Sequence, residues 1–183
     1  MGPPPESYSR VTNAERFTVV QEFVAELART LAHTFEIERT EAYGIDSELE
    51  SSGNLVRPTL RLLPSSATAA TITIAFTNFP GLYVRFGRWV VDRFPQCGCD
   101  ACDERAEGEI ERLREKIGDV IAGRFQESIS LGECGQAELR FAFATGWSGV
   151  NILEIGEARK LLGAEEPTSH SYHSWPKRTS IKA

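Results

Sequence analysis

No stretch of the chain stays apolar for the ~18 positions that a membrane-spanning helix needs, so no membrane partner is expected. Basic residues are outnumbered as well. Against 26 Asp+Glu stand 20 Lys+Arg, and a formal charge of −6 argues against a broad nucleic-acid-binding surface. The start, Met1-Gly2-Pro3-Pro4-Pro5-Glu6, has neither the basic beginning nor the apolar run of a secretory signal, and its prolines do not suit an acylation site. A soluble, cytoplasmic protein is the expectation. Catalytic signatures are missing too: there is no G-x-G-x-x-G, no Walker loop and no H-E-x-x-H. Gly146-Trp147-Ser148-Gly149 misses the nucleophile-elbow spacing by one residue, and no catalytic residue is assigned. Repeats and interdomain linkers are also absent. What remains, at 41% hydrophobic and 25% charged over 183 residues, is the composition of one ordinary globular domain.

The periodicities place its elements. Thr12-Asn13-Ala14-Glu15 has the form of a capping box, and Phe17, Val20, Val24, Leu27 and Leu31 follow at spacings of three and four. This predicts an amphipathic helix over 13–36. Residues 44–54 read as a loop. From Leu55 the period becomes two: Leu60 and Leu62 alternate with Thr59, Arg61 and Leu63, and Pro58 suggests an edge strand. Ile72, Ile74 and Phe76 share one face of the next strand, Pro80-Gly81 supplies a turn, and Leu82, Val84 and Phe86 continue the alternation. The apolar parity flips after Gly87, which predicts a bulge or bend there. Ile110, Leu113, Ile117 and Val120 mark a second helix over about 103–122, stopped by Gly123. Strands through Phe125–Leu131 and Ala137–Phe143 flank a Gly132-Glu133-Cys134-Gly135 turn; a short strand at 147–153 and a short helix from Glu157 to Leu162 complete the set. The expected fold class is α+β: a mainly antiparallel sheet with two long amphipathic helices and a short C-terminal helix. A flexible N-terminus (1–10), a single domain (11–166) and a polar, basic tail (167–183) make up the expected organisation.

The four cysteines are clustered rather than scattered: Cys97, Cys99 and Cys102 lie within six positions, with Cys134 further on. Clustered thiols in a reducing compartment point to metal ligands, a redox pair or small buried hydrophobes. Gly98 lets the backbone fold tightly enough for Cys97 and Cys99 to converge, and Cys99-x-x-Cys102 has the spacing of one half of a structural zinc site. The metal reading therefore takes Cys97, Cys99 and Cys102, with Cys134, His170 or His173 as the fourth ligand. The redox reading rests on a Cys-x-x-Cys at a strand-to-helix junction, as in thioredoxins. Against it stand a local charge of −5 over Cys97–Glu111 and the lack of any proline between Pro95 and Pro167. The acidic residues Asp100, Asp103, Glu104, Glu107, Glu109 and Glu111, followed by Arg112, Arg114 and Lys116, read as a solvated helix that complements its own dipole. His33 reads as a packed or boundary residue of the first helix. The tail offers Trp175 for docking, and Lys177 and Arg178 for an acidic protein partner.

Five segments together resemble an uncharacterised family of small actinobacterial proteins, a domain of unknown function. They are Pro80-Gly81-Leu82, Gly87-Arg88-Trp89, Cys97-Gly98-Cys99-Asp100-Ala101-Cys102-Asp103-Glu104, Ala122-Gly123-Arg124-Phe125 and Trp175-Pro176-Lys177-Arg178. The resemblance spans most of the chain, the cysteine segment being the distinctive part, and implies a bacterial cytoplasmic setting without an activity, substrate or cofactor. Three functional expectations stand. They are a domain with a structural zinc on the cysteine loop, an interaction module using the sheet face or the basic tail, and a thiol redox protein or sensor.

Overall fold

The computed structural model describes residues 8, 10–132, 136–163 and 166–179. Cys134 with its turn, and most of the N-terminal segment read as flexible, lie outside the described residues. A 3-10 turn at Ala14–Phe17 leads into α1 (Thr18–Thr34). Then come β1 (Ile37–Ala42), α2 (Ser47–Ser51), β2 (Thr59–Pro64), β3 (Ile72–Phe76), β4 (Leu82–Phe86) and β5 (Val90–Phe94). After the cysteine loop follow α3 (Ala106–Ile121), β6 (Phe125–Leu131), β7 (Gln136–Phe143), β8 (Ser148–Glu154), α4 (Ile155–Leu162) and β9 (Thr168–Ser171). The class is α+β, with two antiparallel sheets: a five-stranded meander β1-β2-β3-β4-β5, and a four-stranded sheet ordered β8-β7-β6-β9.

The apolar stripes do what their spacing predicts. Phe17, Val20, Val24 and Leu31 of the first helix and Leu113, Ile117 and Val120 of α3 are buried, and both join one hydrophobic cluster with the inner faces of the two sheets. Phe17, Phe76, Phe86, Phe94 and Phe125 are fully enclosed in it, and each stabilises the fold by roughly 1.5–3 kcal/mol.

Several expectations change. The capping box does not form, because the Thr12 hydroxyl and amide both donate to Asp100 Oδ1, at 2.9 and 2.7 Å, instead of turning to the helix. Pro58 precedes an inner strand, and the edge is β1. The stretch read as a loop contains α2, capped by Asp46, whose carboxylate accepts from Leu49 N at 3.0 Å. The same carboxylate accepts from Arg85 Nε of β4 at 2.7 Å, which fastens α2 over the outer face of the meander. After Gly87 the chain turns fully, so that Phe86 pairs with Val90 in a hairpin. Glu127 of β6, itself buried, holds this turn: its carboxylate accepts from the amides of Arg88, Trp89 and Val90 at 2.7, 3.1 and 3.2 Å, and from the Tyr172 hydroxyl at 2.6 Å. Burial pushes the Glu127 carboxyl above its ordinary range against the pull of those donors.

The acidic-to-basic run leading through α3 is a solvated face only in part: Asp103, Glu107, Glu111 and Arg114 are exposed, but one stripe turns inward. Glu109, Arg112, Lys116 and Asp119 are all buried. The segment read as a tail carries β9, which pairs with β6, and Trp175, which is buried with its indole N–H on the Ala70 carbonyl at 2.9 Å. His33, by contrast, is exposed on the last turn of α1.

Candidate metal centre

β5 ends at Phe94 and the chain enters the cysteine loop through a cis Phe94–Pro95 peptide bond. Gly98 then takes a φ of +78°, and an added Cβ would come within 2.6 Å of the Phe79 ring. Only glycine meets both conditions, a left-handed backbone and a closed space beside it. The Cys97 and Gly98 amides, turned inward by this bend, donate to Glu104 Oε2 at 3.0 and 2.8 Å. The Cys102 amide donates to the Cys99 carbonyl at 3.2 Å and closes the second half of the loop.

The outcome is a cluster of three sulfurs within 4.8 Å of one another, with Cys99 and Cys102 Sγ 3.4 Å apart. Sulfurs at the corners of a tetrahedron around zinc, each ~2.3 Å from the ion, are about 3.8 Å apart. The cluster brackets that spacing, and the donor set fits the ion. Cys99 is buried, while Cys97 and Cys102 are exposed. Hydrogen bonds from the Cys97 and Cys102 thiols lower the Cys99 thiol below its ordinary range. The Cys102 thiol is pushed up to about 12, chiefly by its hydrogen bond with Cys99. The two neighbours are thus pushed in opposite directions, Cys99 towards the thiolate and Cys102 towards the thiol.

The expected ligands divide. Cys97, Cys99 and Cys102 come together; Cys134 lies outside the described residues. The two histidines are engaged elsewhere: His170 Nε2 is 3.0 Å from Arg88 Nη1 with its ring against Trp89, and His173 Nδ1 is 3.3 Å from Thr68 Oγ1.

The bracing of the loop comes from residues that sequence reasoning did not connect with it. Asp100, read as part of a dipole-complementing run, accepts from Arg10 Nε at 2.9 Å as well as from Thr12. Its carboxyl is held below the ordinary range by the Thr12 amide first and by Arg10 next. Arg16 donates to the Gly98 and Glu104 carbonyls at 3.2 and 3.3 Å. These partners are 82 to 90 residues away in sequence, so no local pattern announces them.

An α+β domain with a three-cysteine loop braced between a strand and a helix is the class that fold and site define. The chain belongs to a family of unknown function (DUF6226), whose model matches residues 1–179. No curated protein and no solved structure matches it. No helix among the described residues is long and apolar enough to cross a membrane.

Proposed function

We propose that this is a zinc-binding domain in which the Cys97, Cys99 and Cys102 thiolates hold one ion that fixes the junction between β5 and α3. The reading is carried by one observation: three sulfurs converge within 4.8 Å while two of the three residues are exposed. Thiols kept as small hydrophobes are normally buried. An all-sulfur donor set is soft and favours zinc over the hard divalent cations. The local charge of −5 around the loop suits a dication. Because the loop also ties Arg10, Thr12 and Arg16 to the start of α3, an ion here would lock the N-terminal segment onto the domain.

Protein purified without added metal or chelator should carry about one zinc per chain, with its thiols protected until a chelator is added. Cys99→Ser should release the ion and lower the melting temperature by roughly 5–10 °C. Metal-free protein whose thiols all react at once would overturn the reading. The number of protected thiols fixes the ligand set: four would include Cys134, whereas three would leave the fourth corner to solvent or a small ligand.

A second reading, a dithiol switch, is favoured by the 3.4 Å contact between Cys99 and Cys102. Here the two thiols would form one S–S bond and pass two electrons and two protons to an external disulfide, which leaves as two thiols. Metal-free protein that gains a Cys99–Cys102 disulfide on exposure to oxidised glutathione would favour this reading over zinc.

A further inference from the structure

Beside the cysteine loop, three buried charged side chains of α3, Glu109, Arg112 and Lys116, gather around the half-buried Asp92 of β5. Arg112 Nη1 donates to Asp92 Oδ2 at 2.7 Å, and Lys116 Nζ donates to the same oxygen at 2.5 Å. Arg112 Nη2 is used twice more, on Glu109 Oε2 at 2.6 Å and on the Arg93 carbonyl at 2.5 Å. The guanidinium lies 4.0 Å from the centre of the Phe94 ring, and the Lys116 ammonium 4.8 Å from that of Trp147.

Beside this group is a cavity of about 420 Å³ whose walls include Asp92, Arg93, Arg112, Lys116, Trp147 and Asn151. That volume is within the range of small-molecule sites, roughly 300–1,000 Å³. Three cations and one carboxylate therefore face it. Among the described residues Lys116 hydrogen-bonds only to Asp92, although its side chain is more than nine-tenths buried. An ammonium carries three N–H donors. Among the described residues two of those on Lys116 meet no oxygen or nitrogen acceptor; the ammonium faces the Trp147 and Phe143 rings instead, 4.8 and 5.4 Å from their centres. The Trp147 indole N–H donates to Glu115 at 3.1 Å, which fixes the ring at the rim, and the residue remains exposed.

We propose that this cavity binds a small oxyanion carried on a flat ring, an aromatic carboxylate or phosphate, with its oxygens on Lys116 and Arg93 and its ring against Trp147. An anion here supplies what a shared carboxylate oxygen does not, a second acceptor for a desolvated ammonium. Burial pushes the Lys116 ammonium below the ordinary lysine range and the Asp92 carboxylate restores only part of it, in keeping with a cation short of negative charge. The ring is called for by Trp147, a flat apolar surface held beside the cations. The site shares no ligand with the cysteine cluster and stands whatever the metal content proves to be.

The test is a calorimetric titration of the full chain at constant ionic strength with benzoate, phenyl phosphate, inorganic phosphate and neutral benzyl alcohol, with tryptophan emission as a second readout. Trp147 is 41% exposed while Trp89 and Trp175 are buried, so a change in emission on binding reports mainly on the rim. At least one ring anion should bind saturably with a Kd below about 10 mM, and benzyl alcohol should not. Lys116→Met and Asn151→Asp should each weaken the bound anion at least about tenfold. Asn151 is exposed, so N151D leaves the core intact and decides the matter even where K116M does not fold. Absence of saturable binding by both ring anions, equal binding of benzyl alcohol, or unchanged affinity in N151D would each overturn the site. Inorganic phosphate binding as tightly as phenyl phosphate would overturn the role of the ring.

Discussion

Asp119 is fully buried near the end of α3, and each contact it makes is with a donor. The Thr145 amide and hydroxyl reach one oxygen at 2.8 and 2.9 Å, and Arg124 Nε and Nη2 reach the other at 3.0 and 2.9 Å. Burial, the largest single influence, pushes the carboxyl up, but the Thr145 bonds and Arg124 together outweigh it and hold Asp119 below its ordinary range. The Arg124 side chain is itself 57% exposed, so solvent screens its share and the Thr145 bonds carry most of the effect. Asp119→Ala should cost about 1–3 kcal/mol, since the Thr145 amide and hydroxyl lose their charged acceptor. A depressed folded-state pKa means that this stabilisation is fully present above the unfolded value of about 3.9 and is lost as the pH falls through the lower folded value. Urea midpoints measured between about pH 2 and pH 6 should therefore fall less steeply with acid in Asp119→Ala than in the wild type. Parallel profiles would remove Asp119 as the source.

Between elements, the tightest constraint is where the C-terminal segment crosses the end of α3. Gly123 has a φ of +70°, and a Cβ there would come within 2.6 Å of the His173 carbonyl carbon. One residue beyond Ser174, the Trp175 amide donates to the Ile121 carbonyl at 2.8 Å. Gly123→Ala should thus destabilise through both backbone strain and displacement of the strap, by about 1–3 kcal/mol. Trp175→Ala should cost about 3–5 kcal/mol. Chemical denaturation measures both, and a Gly123→Ala variant within about 0.5 kcal/mol of the wild type would show that the strap yields freely. The same elements explain what the sequence could and could not reveal. α1, α3 and the inner strands were legible because each turns one apolar face to a core, which leaves a period to read. β1, Ile-Glu-Arg-Thr-Glu-Ala, and β9, Thr-Ser-His-Ser, are sheet edges; they bury almost nothing on a regular face and are polar, as edges are. The three clustered thiols were legible because they sit within six positions, whereas the arginines that brace them arrive from the far end of the chain. The buried charges of α3 left a fainter signal. Glu109, Arg112, Lys116 and Asp119 immediately precede Ile110, Leu113, Ile117 and Val120, so a charged stripe runs beside the apolar one and shares part of its burial.

At the scale of the whole molecule, the first and the last described segments are both bonded to distant parts of the fold. Arg10 and Thr12 are held by Asp100, the Trp175 indole by Ala70, and Arg178 Nε by the Ala32 carbonyl at 2.9 Å. One hydrophobic cluster runs through both sheets: Phe86 of the meander stands edge-on to Phe143 of the second sheet, with ring centres 5.3 Å apart. Separating the sheets would expose that shared core, and Glu127 would lose the hairpin amides that hold its carboxylate. Neither sheet therefore has a core of its own to fall back on. Unfolding should then be a single cooperative transition, with a ratio of van't Hoff to calorimetric enthalpy of about 1, although 183 residues exceed the roughly 150 below which such behaviour is common. If the cysteine loop holds zinc, a chelator should move that one transition to lower temperature as a whole, because the loop is bonded to the N-terminal segment, to β5 and to α3 at once. Removing residues 168–183 should abolish the transition, since β9 and Trp175 leave together. Scanning calorimetry of the wild type, the chelated protein and the truncated chain measures all three. Two resolved transitions in the wild type would mean that the sheets unfold independently, and a truncated chain that melts normally would return the C-terminal segment to the status of an appendage.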